Sequence, residues 1–321
     1  MNIPMNESVL KRFAVLNRRA ILAHAYLFTG PAYIGKGIAA LAVAKLLNCE
    51  DPKEGRYFCD QCPACRKIQK SCHPDVHVTE SLEGESIKIE QIRGLLDQIR
   101  LRPFMAQKKI FIIRHAEDLT PEAANALLKT LEEPSTGSLL VLTTSVPQKI
   151  LDTVKSRCHI IRFASSSRTG LEAALVRQEQ GNDSDVHFLS FLAEGCWGKA
   201  QQLREDKIGR RKDEIIDKFI LASREKDFAR KVLADKHKVK AFLDILLSWV
   251  RDCLLVKAGA KDQSLVHADR ARDIRDFQSR YSFEGLARLN EEIVKTCRLL
   301  AENLNVKIPL LIIEEMLSRE F

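Results

Sequence analysis

The second half of this 321-residue sequence has almost no proline: nine of the ten lie between Pro4 and Pro147, and only Pro309 follows. Glycine is sparse as well, at 14, and three of these are Gly30, Gly35 and Gly37. A turn-rich first half before a stretch with few helix breakers excludes one uniform fold and predicts an α/β domain followed by helices. No run approaches the roughly 18 apolar residues that a membrane-crossing helix needs, so no membrane partner is expected. The first twenty residues carry Glu7, Lys11 and Arg12 without an apolar signal core. No export signal is expected from them, and a cytoplasmic location is. An excess of one charge sign is also missing: 51 Lys and Arg stand against 43 Asp and Glu, a net +8. That balance permits contact with nucleic acid without demanding it. Arg210-Arg211-Lys212 is followed at once by Asp213 and Glu214 and reads as a solvated helix face.

Against these absences, the first half shows strands alternating with helices, the pattern of a parallel sheet. His24 to Thr29 reads as a short buried strand entering the glycine loop, and IAALAVAKLLNC as the helix after it. Ile92, Leu95, Leu96 and Ile99 share one helical face. Lys109 to Ile113 is an uninterrupted apolar strand suited to burial on both faces. Thr120-Pro121 signals a helix start and Pro134 its end, with Ala124, Leu127, Leu128 and Leu131 as the buried stripe. Leu139 to Thr144 is read as the third strand and His159 to Phe163 as the fourth. Ser165-Ser166-Ser167 has linker composition, and beyond it helical periods prevail, as at Phe242, Ile245, Leu246 and Trp249. Cys49 to about Asp75 reads as an irregular, cysteine-rich insert.

Gly30-Pro31-Ala32-Tyr33-Ile34-Gly35-Lys36-Gly37 fits the phosphate-loop pattern GxxxxGK. Such a loop directs backbone N–H groups at phosphate oxygens on a helix N-terminus, and its lysine reaches the outer phosphates. The next residue should be Ser or Thr, whose hydroxyl holds magnesium; here it is Gly37. A strand such as KIFII should end in Asp for the metal and usually Glu for water. Arg114 and His115 occupy those two places, and Glu117 and Asp118 are displaced by three residues. Both departures strike the same metal and water, so ATP remains a possible ligand while hydrolysis by this chain alone is not expected.

Cys59-x2-Cys62-x2-Cys65 is a metal-ligand run, because two-residue gaps let thiolates converge on one tetrahedral ion. A fourth ligand must come from Cys49, Cys72 or His73. Nine cysteines without an export signal argue for reduced thiols rather than disulfides. The spacing lacks the fourth cysteine and proline of a ferredoxin-like run, which favours zinc over an iron–sulfur cluster. A structural zinc would contribute on the order of 10 kcal/mol to ordering an insert with few apolar residues. Cys158, Cys196, Cys253 and Cys297 lie in apolar contexts and read as core. Ser156-Arg157-Cys158 precedes the last strand. Its arginine reads either as a surface salt-bridge former or as a group offered to a neighbour's γ-phosphate, which in GTPases raises hydrolysis by about 10³–10⁵.

HAYLFTGPAYIGKG, the cysteine insert, HPD at His73–Asp75, ANALLKTLEEP at Ala124–Pro134, PQKILDTVKSRC at Pro147–Cys158 and NLNVKIPLLIIEEML at Asn303–Leu317 together resemble the clamp-loader branch of the AAA+ ATPases. The resemblance spans nearly the whole chain. It implies an AAA+ phosphate-loop domain over 1–164 with a zinc module at about 49–75, a small helical lid over 165–207 and a helical collar over 208–321. It selects Cys49 with Cys59, Cys62 and Cys65 as zinc ligands, and gives Arg157 the role of a finger acting in trans. The motor subunits' nucleotide-sensing arginine corresponds to Gly198 here, with Lys199 beside it, a third departure from a working ATP site. The implied function is a stator-like, non-hydrolysing subunit of the replicative polymerase holoenzyme. Its implied partners are ATPase subunits and a clamp-opening subunit in a ring-shaped hetero-pentamer, the sliding clamp, and primed DNA reached through the assembly. An ATP-hydrolysing motor subunit is the alternative within the family. From a different class, a zinc-ribbon nucleic-acid binder would need an exposed aromatic–basic surface, and aromatics make up only 6% of the sequence.

Overall fold

A computed structural model describes residues 6–52, 55–81, 85–135, 137–178, 183–221, 236–302 and 304–318. Asn303, the first residue of the matched C-terminal segment, lies outside them, as does Pro4. The chain divides into two compact units. One runs to Ser166 and takes in Cys196–Lys199; the other comprises Ser167–Gly195 and the chain from Ala200.

The first unit is built on five parallel strands, β1 (Ala25–Thr29), β2 (Val76–Thr79), β3 (Lys109–Ile113), β4 (Ser138–Thr144) and β5 (His159–Arg162), in the spatial order β2-β3-β4-β1-β5. β1 lies between β4 and β5, with Leu27 opposite Leu142 and Ile160. Alternate residues serve opposite faces of the sheet. Tyr26, Phe28, Ile110, Ile112 and Val141 pack with α1 (Asn6–Arg18) and α2 (Lys36–Asn48) through Phe13, Ala40 and Val43. Leu27, Phe111, Ile113 and Leu140 meet α4 (Ile89–Ile99) and α5 (Pro121–Glu132) through Ile92, Leu95, Leu127 and Leu131. Burial on both faces is why β1 and β3 read as unbroken apolar runs.

Two features depart from the sequence reading. β2 is a strand directly after the insert, at a segment the sequence reading assigned to no element; it lies at the edge of the sheet and is only partly covered. The cysteine insert contains a helix, α3 (Pro63–Gln69), started by Pro63 and capped by the Cys62 sulfur, which accepts from the Cys65 N–H. α5 begins as expected, with Thr120 Oγ1 accepting from the Ala123 N–H at 3.3 Å. A four-residue helix, α6 (Asp152–Lys155), precedes Ser156 and Arg157.

The second unit is helical among its described residues: α7 (Arg168–Gln178), α8 (Asp183–Ala193), α9 (Trp197–Glu205) from Ala200 on, α10 (Ile208–Ile215) with a π-helical continuation, α11 (Lys236–Lys257), α12 (Ala271–Ser279), α13 (Phe283–Ala301) and α14 (Lys307–Ser318). Phe188, Phe242, Ile245, Leu246, Trp249, Ile293 and Ile313 belong to one continuous core. Lys207, with φ 52, separates α9 from α10. The basic run is not a solvated face throughout: Lys212 is 1% exposed, donates to Asp269 at 2.7 Å and lies over the Phe188 ring. Asp269 is distant in sequence, so only folding reveals the partner that makes this burial tolerable. No helix among the described residues is long and apolar enough to cross a membrane.

Candidate functional site

β1 delivers the chain into the glycine loop at Gly30, and Ile34, fully buried, pins the loop to the core. Gly35 turns the chain with φ 96, a left-handed conformation that places Lys36 at the first position of α2. The Lys36 Nζ folds back on the loop, donating to the carbonyls of Gly30 at 2.7 Å and Pro31 at 2.6 Å. Its pKa is lowered by burial, against an opposing pull from Glu117.

On the metal side of the loop, Gly37 stands beside the Arg114 side chain. A Cβ built on Gly37 would lie 3.0 Å from the Arg114 Nε, so the guanidinium rests against the residue that should carry the magnesium-binding hydroxyl. Arg114 also donates to Glu80 at 3.0 Å. Glu117 sits in the 3₁₀ turn after β3, and its Oε1 accepts from the N–H of Ser145 at 3.0 Å and from its hydroxyl at 2.6 Å. Burial would raise the Glu117 pKa, but the bonds from Ser145 outweigh it and hold the carboxyl below its ordinary range. The second oxygen, Oε2, is buried without a partner among the described residues. A loop without a hydroxyl, faced by a guanidinium, does not fit the magnesium site of a working ATPase. Gly198 adds a constraint the sequence did not reveal. A Cβ there would fall 2.4 Å from the Tyr33 carbonyl oxygen, so this backbone leaves no room for an arginine side chain at 198.

At the other end of α2 the geometry is the opposite. Cys49 follows the helix as its C-cap, and its sulfur lies within 4.8 Å of those of Cys59, Cys62 and Cys65, with all four within that distance of one another. A tetrahedron of about 2.3 Å zinc–sulfur bonds has edges of about 3.8 Å, inside the 4.8 Å that bounds these sulfurs. Cys72 is exposed, and the His73 Nδ1 accepts from the Asp75 N–H, so neither rival ligand joins the four. Backbone N–H groups of Cys62 and Gln61 aimed at the Cys59 sulfur lower its pKa to about 6, whereas burial raises those of Cys49 and Cys65. Lys45, one turn before Cys49, ties the helix to the module by donating to Asp60 at 2.5 Å and Gln69 at 2.6 Å.

Arg157 stands two residues beyond the last residue of α6. Its Nη2 donates to Glu132 at 2.7 Å, and its Nη1 to the Thr153 carbonyl at 3.0 Å and the Ser156 hydroxyl at 3.3 Å. Cys158 and Cys196 are buried and Cys253 fully so; Cys297 is only partly covered.

The strand order, the glycine loop at the mouth of β1 and the helical C-terminal unit define an AAA+-type phosphate-loop protein. The chain belongs to the DNA polymerase III delta subunit family: that family's model matches residues 5–167, and the model of its C-terminal part matches residues 211–320. The DNA polymerase III subunit delta′ of Bacillus subtilis is 31% identical over 297 residues, covering 89% of this chain and 88% of that one. Subunit tau of the same organism is 32% identical over 191 residues, 58% of this chain and 33% of its own length. Among solved structures, a DNA polymerase III gamma subunit-related protein of Thermotoga maritima superposes with a TM-score of 0.53 at 18% identity, covering 96% and 99% of the two chains, a likeness of fold.

Proposed function

We propose that this chain is a delta-prime-type clamp-loader subunit that does not hydrolyse ATP itself and lends Arg157 to the ATP of a neighbouring subunit. The observation that carries the reading is the altered metal side of the loop, where Arg114 rests against Gly37 and the Tyr33 carbonyl closes position 198. A subunit that keeps the nucleotide fold but not its metal chemistry is suited to hold position while others turn over. Arg157, side-chain exposed by 35%, is accessible at the edge of the sheet unit. Cys49, Cys59, Cys62 and Cys65 would hold one structural zinc; with four protein ligands the ion keeps no open position for catalysis. The phosphate loop, through Gly30, Gly35, Lys36 and Gly37, retains backbone geometry for ATP without turnover.

In this reading the chain works in the cytoplasm as part of a hetero-pentamer with ATPase subunits and a clamp-opening subunit, which opens the sliding clamp and sets it on primed DNA. Division into a sheet domain over 1–164, a lid over 165–207 and a collar over 208–321 belongs to the same proposal. The test is reconstitution with the partner subunits. The isolated chain shows no ATPase activity, and adding it accelerates the assembly. Arg157→Ala leaves its fold unchanged and lowers the assembly's turnover at least tenfold, by the loss of transition-state charge stabilisation. Turnover by the isolated chain that Lys36→Ala abolishes would overturn the non-hydrolysing reading.

A further inference from the structure

The pair between Arg157 and Glu132 is poorly suited to stabilising the fold. The two side chains are 35% and 52% exposed, and ion pairs in such surroundings add little to stability. The pair is nevertheless specific in construction. Glu132 is the last residue of α5, whose start is capped by Thr120 and whose stripe of Ala123, Leu127 and Leu131 is buried. The carboxylate is therefore carried on a fixed element. On the other side, the Thr153 carbonyl and the Ser156 hydroxyl hold Nη1, leaving Nε without a partner among the described residues. A long arginine side chain is thus held from two directions, with part of its donor fork unspent. Fixing a free arginine costs rotamer entropy, and that cost is met here before any phosphate arrives.

We infer that Glu132 is a positioning residue for Arg157, orienting the guanidinium toward a phosphate on a neighbouring subunit; this rests on the finger reading proposed above. Glu132 itself touches no nucleotide. Its carboxylate accepts from one terminal nitrogen and restricts the side chain to the orientation it needs at the subunit boundary.

The test is steady-state ATP hydrolysis by the reconstituted assembly, with kcat and KM measured separately for each variant of this chain. Glu132→Ala lowers kcat by about three- to tenfold and leaves KM unchanged, as expected for a misaimed catalytic group. Glu132→Lys, which repels the guanidinium, lowers kcat at least as far. Glu132→Ala combined with Arg157→Ala is no slower than Arg157→Ala alone, because the glutamate acts only through the arginine. Both side chains are exposed, so the variants fold, and unchanged circular dichroism verifies it. Glu132→Ala or Glu132→Lys at wild-type kcat or above, beside a slowed Arg157→Ala, overturns the positioning role alone. An additive loss in the double variant also overturns it. If Arg157→Ala leaves turnover unchanged, the finger reading falls and the positioning role falls with it.

Discussion

The two ends of α2 differ in what they could do with a metal ion. At its N-terminus a phosphate loop retains glycines and a lysine, but the position for a metal-binding hydroxyl is Gly37 and a guanidinium rests against it. At its C-terminus, one residue beyond Asn48, Cys49 joins three other thiols in a cluster whose sulfurs all lie within 4.8 Å of one another. Thirteen residues of helix thus separate a loop without a magnesium-binding hydroxyl from four clustered thiols that could hold a metal ion. A turnover site works only with all its groups in place, so a loop without its metal-binding hydroxyl would turn over little whatever its other residues. In an insert with little apolar surface, the fold itself would depend on the ligands.

The largest effect is expected at the cysteine end. Chelation or Cys65→Ser releases about one zinc per chain and removes on the order of 10 kcal/mol of order from the module. Hydrogen exchange should rise sharply over residues 55–75 while the sheet stays protected. The loss is steeper in acid. Burial raises the pKa values of the Cys49 and Cys65 thiols, and each must shed its proton to bind, so zinc affinity falls as pH falls. A purified chain without zinc by elemental analysis would break the comparison outright.

How much of this was legible beforehand differs between the two ends. The CxxCxxC run and the loop pattern were plain, since short-range spacing carries both, and β1, β3 and α5 announced themselves through uninterrupted apolar runs and a Thr-Pro start. Cys49 as fourth ligand came from resemblance, because spacing left Cys72 and His73 open. β2 stayed hidden because four residues, Val76–Thr79, are too few for their alternation to stand out. Lys212 looked solvated because its partner, Asp269, is 57 residues away. The contacts of Gly37 with Arg114 and of Gly198 with Tyr33 are tertiary, so the sequence showed that residues were missing without showing what filled their places.

The second test asks whether position 198 is closed rather than merely vacant. Its Cβ would lie 2.4 Å from a backbone oxygen, which has no flexible end to swing away. Gly198→Ala should therefore cost about 1–3 kcal/mol through enforced backbone movement, and Gly198→Arg at least as much, measured by denaturant unfolding. Wild-type stability in Gly198→Arg would mean that the loop adjusts freely and that this departure is easily reversed.

The smallest effect sharpens the comparison most. Gly37→Ser restores the hydroxyl that the loop lacks. Its Cβ meets the Arg114 side chain at 3.0 Å, and a side chain yields more readily than backbone. The stability change should stay within about 1 kcal/mol. Magnesium-dependent ATP binding should not appear, because β3 is still followed by Arg114 and His115 in place of carboxylates, Glu80 is paired with Arg114, and Glu117 accepts from Ser145 through Oε1. Titration of a fluorescent ATP analogue with and without magnesium checks this. Equal affinities in Gly37→Ser locate the loss in the whole metal shell, whereas a magnesium-dependent gain would locate it in the hydroxyl and make the loop end of α2 one substitution from repair.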